Sequence, residues 1–210
     1  MQWLGRFVSR QLHRPSGRFG RVVMTRMLNQ GNSPLIIASL ARLELGRDTS
    51  YLDAGFGGGR ALREAARIVT EAQLYGLDFS PEVVVHGQRE LGDLIHAGRL
   101  TLVQADIADA PLRAALCERV STINTIYFWP APERAAAELM RLLAPGGRLV
   151  IGYTGDEKMA RFSLLTETFT HYSPARVEAL LEGAGFCGVR TDALGGRLAG
   201  DFVTVAERPD

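Results

Sequence analysis

Tyr51-Leu52-Asp53-Ala54-Gly55-Phe56-Gly57-Gly58-Gly59-Arg60 is the stretch whose reading decides the fold. An apolar strand runs into an acid, then a glycine-packed turn, then a helical segment from Arg60 to Ile68. The glycines let the backbone reach φ > 0 and let a ligand approach the chain closely. Such a turn at a helix N-terminus is a nucleotide- or nucleoside-binding device. Asp53 narrows the choice. A carboxylate there would repel a pyrophosphate and attract a ligand carrying an amino group.

The surroundings fit. A second apolar run, Leu74-Tyr75-Gly76-Leu77, ends in Asp78, placed to accept hydrogen bonds from two ribose hydroxyls. Ser80-Pro81-Glu82 then reads as a helix start, with a serine cap, a first-turn proline and an acid near the positive end of the dipole. A third run, Leu100 to Val103, leads to Gln104-Ala105-Asp106-Ile107, and a fourth, Val120 to Ile126, leads into Tyr127-Phe128-Trp129-Pro130. A helix from Pro132 to Leu143 precedes a Pro145-Gly146-Gly147 turn and another apolar run.

Taken together, these motifs resemble the class I S-adenosylmethionine-dependent methyltransferases over about residues 50 to 206. The glycine stretch is similar to their motif I, D-x-G-x-G-x-G, with Phe56 at a position that is often Cys. Gly76-Leu77-Asp78-Phe79-Ser80-Pro81-Glu82 resembles their post-I motif. Among them, the chain looks most like the small bacterial enzymes grouped with the ubiquinone/menaquinone C-methyltransferases. The resemblance implies S-adenosylmethionine as cofactor and S-adenosylhomocysteine as product. It assigns cofactor binding to Asp53, Gly55, Phe56, Gly57, Gly59, Asp78, Phe79, Asp106, Ile107 and Asn124, with Asp106 on the adenine amino group. His171 is the best candidate base, and Tyr127 a second catalytic candidate beside the methyl group.

Strands and helices mostly alternate, which argues for a parallel sheet covered on both faces. A late helix from Ser173-Pro174 to Gly183 is followed by two strands, through Val189 and from Phe202 to Ala206, joined by a glycine-bearing connection. The resemblance implies a Rossmann-like, seven-stranded, mostly parallel α/β sheet with a C-terminal antiparallel hairpin. The domain reading is a helical lid over residues 1–45 and a methyltransferase domain over 46–210.

Composition bounds the alternatives. The 210 residues are 46% hydrophobic, enough for one core without disulfides. No apolar run is long enough for a membrane span, and the N-terminus lacks a signal-type apolar segment. Cys117 and Cys187 show no paired spacing, so a cytoplasmic setting is expected. No ligand-spaced cluster suggests a metal, and no G-x-S-x-G elbow suggests a hydrolase.

The net charge of +1 hides an asymmetry. The first 43 residues hold no acid but include Arg6, Arg10, Arg14, Arg18, Arg21, Arg26 and Arg42. Trp3, Leu4, Phe7, Val8 and Leu12 recur at helical spacing opposite Arg6 and Arg10, a basic amphipathic helix. It reads as a packed surface helix, as peripheral membrane contact through residues 1–14, or as a site for an anionic partner.

Nucleic acid is disfavoured as acceptor. Asn124-Thr125-Ile126-Tyr127 lacks the proline pair of the amino-methylating nucleic-acid enzymes, which favours a small, largely hydrophobic molecule. A nicotinamide oxidoreductase is weakened by Arg60, which stands where a third glycine should pack helix on strand. A non-catalytic cofactor-binding module is the remaining alternative. The oligomeric state is not legible in the sequence.

Overall fold

In the computed structural model, the residues described are 33–160 and 170–210. A seven-stranded sheet runs in the order β3-β2-β1-β4-β5-β7-β6. Its strands are β1 (Tyr51–Ala54), β2 (Leu74–Asp78), β3 (Leu100–Gln104), β4 (Cys117–Ile123), β5 (Leu143–Thr154), β6 (Cys187–Ala193) and β7 (Asp201–Glu207). The first five are parallel, while β7 lies antiparallel to both β5 and β6. The expected Rossmann-like sheet with its closing hairpin is therefore present.

Seven α-helices lie among the described residues: α1 (Ser33–Leu43), α2 (Arg60–Ala65), α3 (Pro81–Glu90), α4 (Gly92–His96), α5 (Pro132–Leu142), α6 (Asp156–Ala160) and α7 (Pro174–Gly183). Successive side chains of a strand point to opposite faces, and the core divides accordingly. Leu52, Leu149 and Ile151 join one apolar cluster, with Leu139 of α5 and Leu181 of α7. Tyr51 and Val150 join the other, with Leu40 of α1, Leu62 of α2 and Val84 of α3. All four residues of β1 are buried, as a parallel strand covered on both faces must be. Each buried Leu or Val contributes about 1.5–3 kcal/mol.

Local signals explain the element ends. Ser80 and Ser173 cap α3 and α7, accepting from the amides of Val83 at 3.3 Å and Arg176 at 3.4 Å, each with proline next in sequence. The helix read from Arg60 to Ile68 stops at Ala65, where the Ala65 carbonyl takes both the Ile68 and Val69 amides and the chain turns to bury Val69. The helix that starts at Ser80-Pro81 ends at Glu90, where Leu91 leaves helical geometry and turns into the core before α4 begins. The Pro145-Gly146-Gly147 turn is absorbed into β5 as an irregularity, its ends tied to Arg208 by backbone bonds of 3.0 and 2.8 Å.

The described part of the 1–45 segment, α1, packs on the sheet against β4 and β5. Its Ser39 lies so close to Gly152 that a side chain there would collide with it. The amphipathic stretch at residues 1–14 lies outside the described residues.

Candidate functional site

The loop after β1 is tied to the end of β2. The amides of Gly55 and Phe56 both donate to the Leu77 carbonyl, at 2.6 and 3.2 Å. Gly55 holds φ +82°, and a Cβ there would collide with the Thr125 methyl group. The glycine is therefore needed both for its conformation and for the approach of the 124–130 segment.

Phe56 is buried, and its ring fills the space left by two glycines. A Cβ on Gly76 would meet the ring at 3.1 Å, and one on Gly87 would meet it at 2.7 Å. The phenylalanine in the usual Cys position is thus matched by small residues on β2 and α3.

Two buried acids flank the loop. Asp53 accepts from the Ser121 hydroxyl at 3.0 Å, and Ser121 accepts in turn from Tyr51 at 2.6 Å. Burial pushes the Asp53 carboxyl up to about 7; the Ser121 bond opposes this, and the charge of Asp78 adds to it. Asp78 accepts from the amides of Gly57 at 3.1 Å and Ser80 at 3.0 Å. Its carboxyl is also raised by burial, against which these amides act.

A cleft of ≈ 270 Å³ opens at this edge. It lies beyond the carboxyl ends of β1, β2, β3 and β4, where ligands of doubly wound sheets bind. Asp53, Gly55, Phe56, Gly57, Asp78, Phe79, Asp106, Ile107 and Asn124 all line it. Phe79 is 42% exposed. Asp106 is exposed, and one of its oxygens accepts from the Ala108 amide at 2.9 Å. Asn124 holds φ +55° and turns the chain out of β4, its amide donating to Gly152 at 2.8 Å.

Gly59 is not on the cleft wall. It starts α2 at φ +75°, and a Cβ there would press on Leu91 at 2.9 Å. The absence of a side chain there lets the loop pack against Leu91.

The two catalytic candidates also stand off the wall. The Tyr127 hydroxyl is buried; it donates to Asn124 Oδ1 at 3.0 Å and accepts from the Thr154 amide. Burial raises its pKa well above the ordinary phenol value, so the hydroxyl stays protonated at neutral pH. His171 precedes α7, and its Nε2 is buried with no hydrogen-bond partner among the described residues. Of the aromatic residues that follow β4, Phe128 and Trp129 are on the wall.

Ile36 of α1, Val83 of α3, Ile123 and Pro130 also line the cleft and were not singled out by the motifs. Ile36 sits in the apolar run Leu35-Ile36-Ile37, the one signal that could have marked it. Among the described residues, no group of three or more His, Cys, Asp or Glu could hold a metal. Cys117 is buried, and its thiol is pushed up to about 12, mainly by burial, which leaves it unreactive.

A glycine cradle between two acids, at the switch edge of a mostly parallel sheet, defines a nucleoside-binding α/β domain whose ligand carries a positive charge. The comparisons with known proteins agree. Residues 52–151 match the model described as a methyltransferase domain. The chain is 25% identical over 113 residues to the uncharacterized methyltransferase YdaC of Bacillus subtilis, covering 54% of this chain and 60% of that protein. It is 32% identical over 101 residues to the ubiquinone/menaquinone biosynthesis C-methyltransferase UbiE of Geotalea daltonii, covering 48% and 43%. The chain thus spans about half the length of the curated relatives it matches. A SAM-dependent methyltransferase from Aquifex aeolicus shares the fold, with a TM-score of 0.70 at 19% identity, covering 88% of this chain and 96% of that one.

Residues 52–151 match a methyltransferase domain, and the chain resembles the class I S-adenosylmethionine-dependent enzymes of the UbiE group, whose cofactor is S-adenosylmethionine. The residues fit it: Asp78 offers a two-oxygen acceptor for a diol, and the Gly55 cradle leaves room that a side chain would fill.

Proposed function

We propose that the protein transfers a methyl group to a small, largely hydrophobic acceptor in the cytoplasm. The observation that carries this reading is the pair Asp53 and Asp78, buried on either side of one glycine loop and open to one cleft. Bound S-adenosylmethionine supplies an already activated sulfonium methyl. The chain's work is alignment and exclusion of water.

In this reading Asp78 holds the ribose hydroxyls, and Asp106 takes the adenine amino group between Phe79 and Ile107. Asp53, when ionised, holds the ammonium of the amino-acid tail. Asn124, Phe128 and Trp129 border the acceptor end, where aromatic faces favour a cation. Alignment of donor and acceptor can supply roughly 7–11 kcal/mol of the barrier. A general base adds roughly 10²–10⁴-fold only where the acceptor must lose a proton.

The apolar lining from Ile36, Leu77, Ile107, Ile123, Phe128 and Trp129 supports a hydrophobic small molecule over a nucleic acid. No helix among the described residues is long and apolar enough to cross a membrane. A lid formed by residues 1–45, and peripheral membrane contact through residues 1–14, belong to the same proposal. Flotation with anionic vesicles before and after removal of residues 1–14 tests the contact.

Transfer itself is tested with methyl-labelled S-adenosylmethionine and fractionated cell extract. Label should appear in small, organic-extractable compounds. Label confined to nucleic acid or protein would overturn the acceptor class.

A further inference from the structure

We propose that Arg60 forms a carboxylate-binding subsite at one end of the cleft. The inference rests on the reading of that cleft as the S-adenosylmethionine site.

Arg60 lines the cleft beside Gly57, Gly58 and Ala61. Its side chain is partly buried, and its Nε is fully buried with no hydrogen-bond partner among the described residues. Its ion contact is with Glu64 at 3.6 Å, whereas Glu64 meets Arg67 at 2.6 Å. The guanidinium therefore brings donors and positive charge to the cleft that the protein satisfies only loosely. A carboxylate is the group that a planar guanidinium recognises in two-pronged fashion.

Sheet order says which carboxylate the position favours. The strands run β3, β2, β1. A nucleoside with its base at Asp106, after β3, and its ribose at Asp78, ending β2, directs its 5′ substituent across the end of β1. The loop after β1 leads straight into Arg60. Asp53 lies at that strand's end, so an acid and an arginine flank the place where an amino-acid zwitterion would sit. Ile36 of α1 borders the same cleft. The other source of the same chemistry is an acid-bearing hydrophobic acceptor.

Titration calorimetry on the wild-type protein, Arg60→Gln and Arg60→Lys separates the two sources. The probes are S-adenosylhomocysteine, 5′-methylthioadenosine, which lacks the amino-acid tail, and benzoate added to the protein saturated with S-adenosylhomocysteine. For the tail, Arg60→Gln should weaken S-adenosylhomocysteine about 10- to 100-fold and leave methylthioadenosine within about twofold, with Arg60→Lys intermediate. For an acceptor acid, S-adenosylhomocysteine affinity should hold while benzoate binding is lost. Glu64→Gln, which removes only the helix partner, should leave S-adenosylhomocysteine affinity within about twofold. Equal weakening of both nucleosides would mean damage to the loop and would overturn the subsite, as would unchanged binding of all three probes. A wild-type protein that binds neither nucleoside would overturn the cofactor reading itself.

Discussion

The backbone amide of Gly57 donates to Asp78 at 3.1 Å, so the acid assigned to the ribose also holds the glycine loop in place. In the proposed reading, loop geometry and ligand recognition share one carboxylate. Its other oxygen takes the Ser80 amide, which fixes the start of α3.

Asp78→Ala should therefore act twice. Cofactor affinity should fall about 10- to 100-fold, as expected when hydrogen bonds to a charged group are lost. The melting temperature of the free protein should also fall, because the Gly57 and Ser80 amides lose their acceptor. Calorimetry and thermal unfolding read the two effects separately, and affinity held within about twofold would refute the ribose role.

Asp53 makes cofactor binding depend on pH. Burial pushes its carboxyl up to about 7 in the free protein, while a bound ammonium favours the ionised form. Affinity should rise roughly tenfold from about pH 6 to about pH 8, with a proton released on binding near the lower end. The same shift has the opposite effect on the free fold. A folded value above the ordinary carboxylate range means that stability falls as pH rises from about 4 through 7. Titrations in buffers of different ionisation heat count the proton, and Asp53→Asn should abolish the pH dependence of affinity.

Gly55→Ala should cost both stability and binding. The left-handed φ of +82° strains any side chain, and the new methyl collides with Thr125. A loss of about 1–3 kcal/mol is expected from the strain. Gly98→Ala is the control: it is strained at φ +70° with nothing within 4 Å, and Gly98 lies away from the cleft. It should lower stability and leave cofactor affinity intact, as measured by denaturation and titration of each variant.

Tyr127→Phe should behave as a structural change. The hydroxyl links Asn124 to the end of β5 through the Thr154 amide. Its loss should lower stability by about 1–3 kcal/mol and leave the pH profile of transfer unmoved. A profile that loses a limb in this variant would restore Tyr127 to the catalytic machinery.

The fold was legible because each strand ended in its own punctuation. Asp53 before glycines, Asp78 before Ser80-Pro81, and the apolar runs between them marked β1, β2 and the helices that follow. The acids of the cleft were read from the same punctuation. What the pattern could not reveal was depth. Tyr127 and Trp129 look alike as aromatics after β4, yet the Tyr127 hydroxyl turns inward to Asn124 while Trp129 borders the cleft. Gly59 read as a third ligand glycine; that its Cβ position faces Leu91, 32 residues along the chain, is visible only once the break between α3 and α4 is seen. Phe56 needed Gly76 and Gly87 to make sense, and those glycines carry no motif of their own.

The most direct test of the account is a calorimetric titration of the purified protein with S-adenosylmethionine, S-adenosylhomocysteine, NADH and NADPH. The account predicts one site of micromolar affinity for each of the two adenosyl compounds and no heat from the nicotinamides. Binding of NADH or NADPH alone would contradict it.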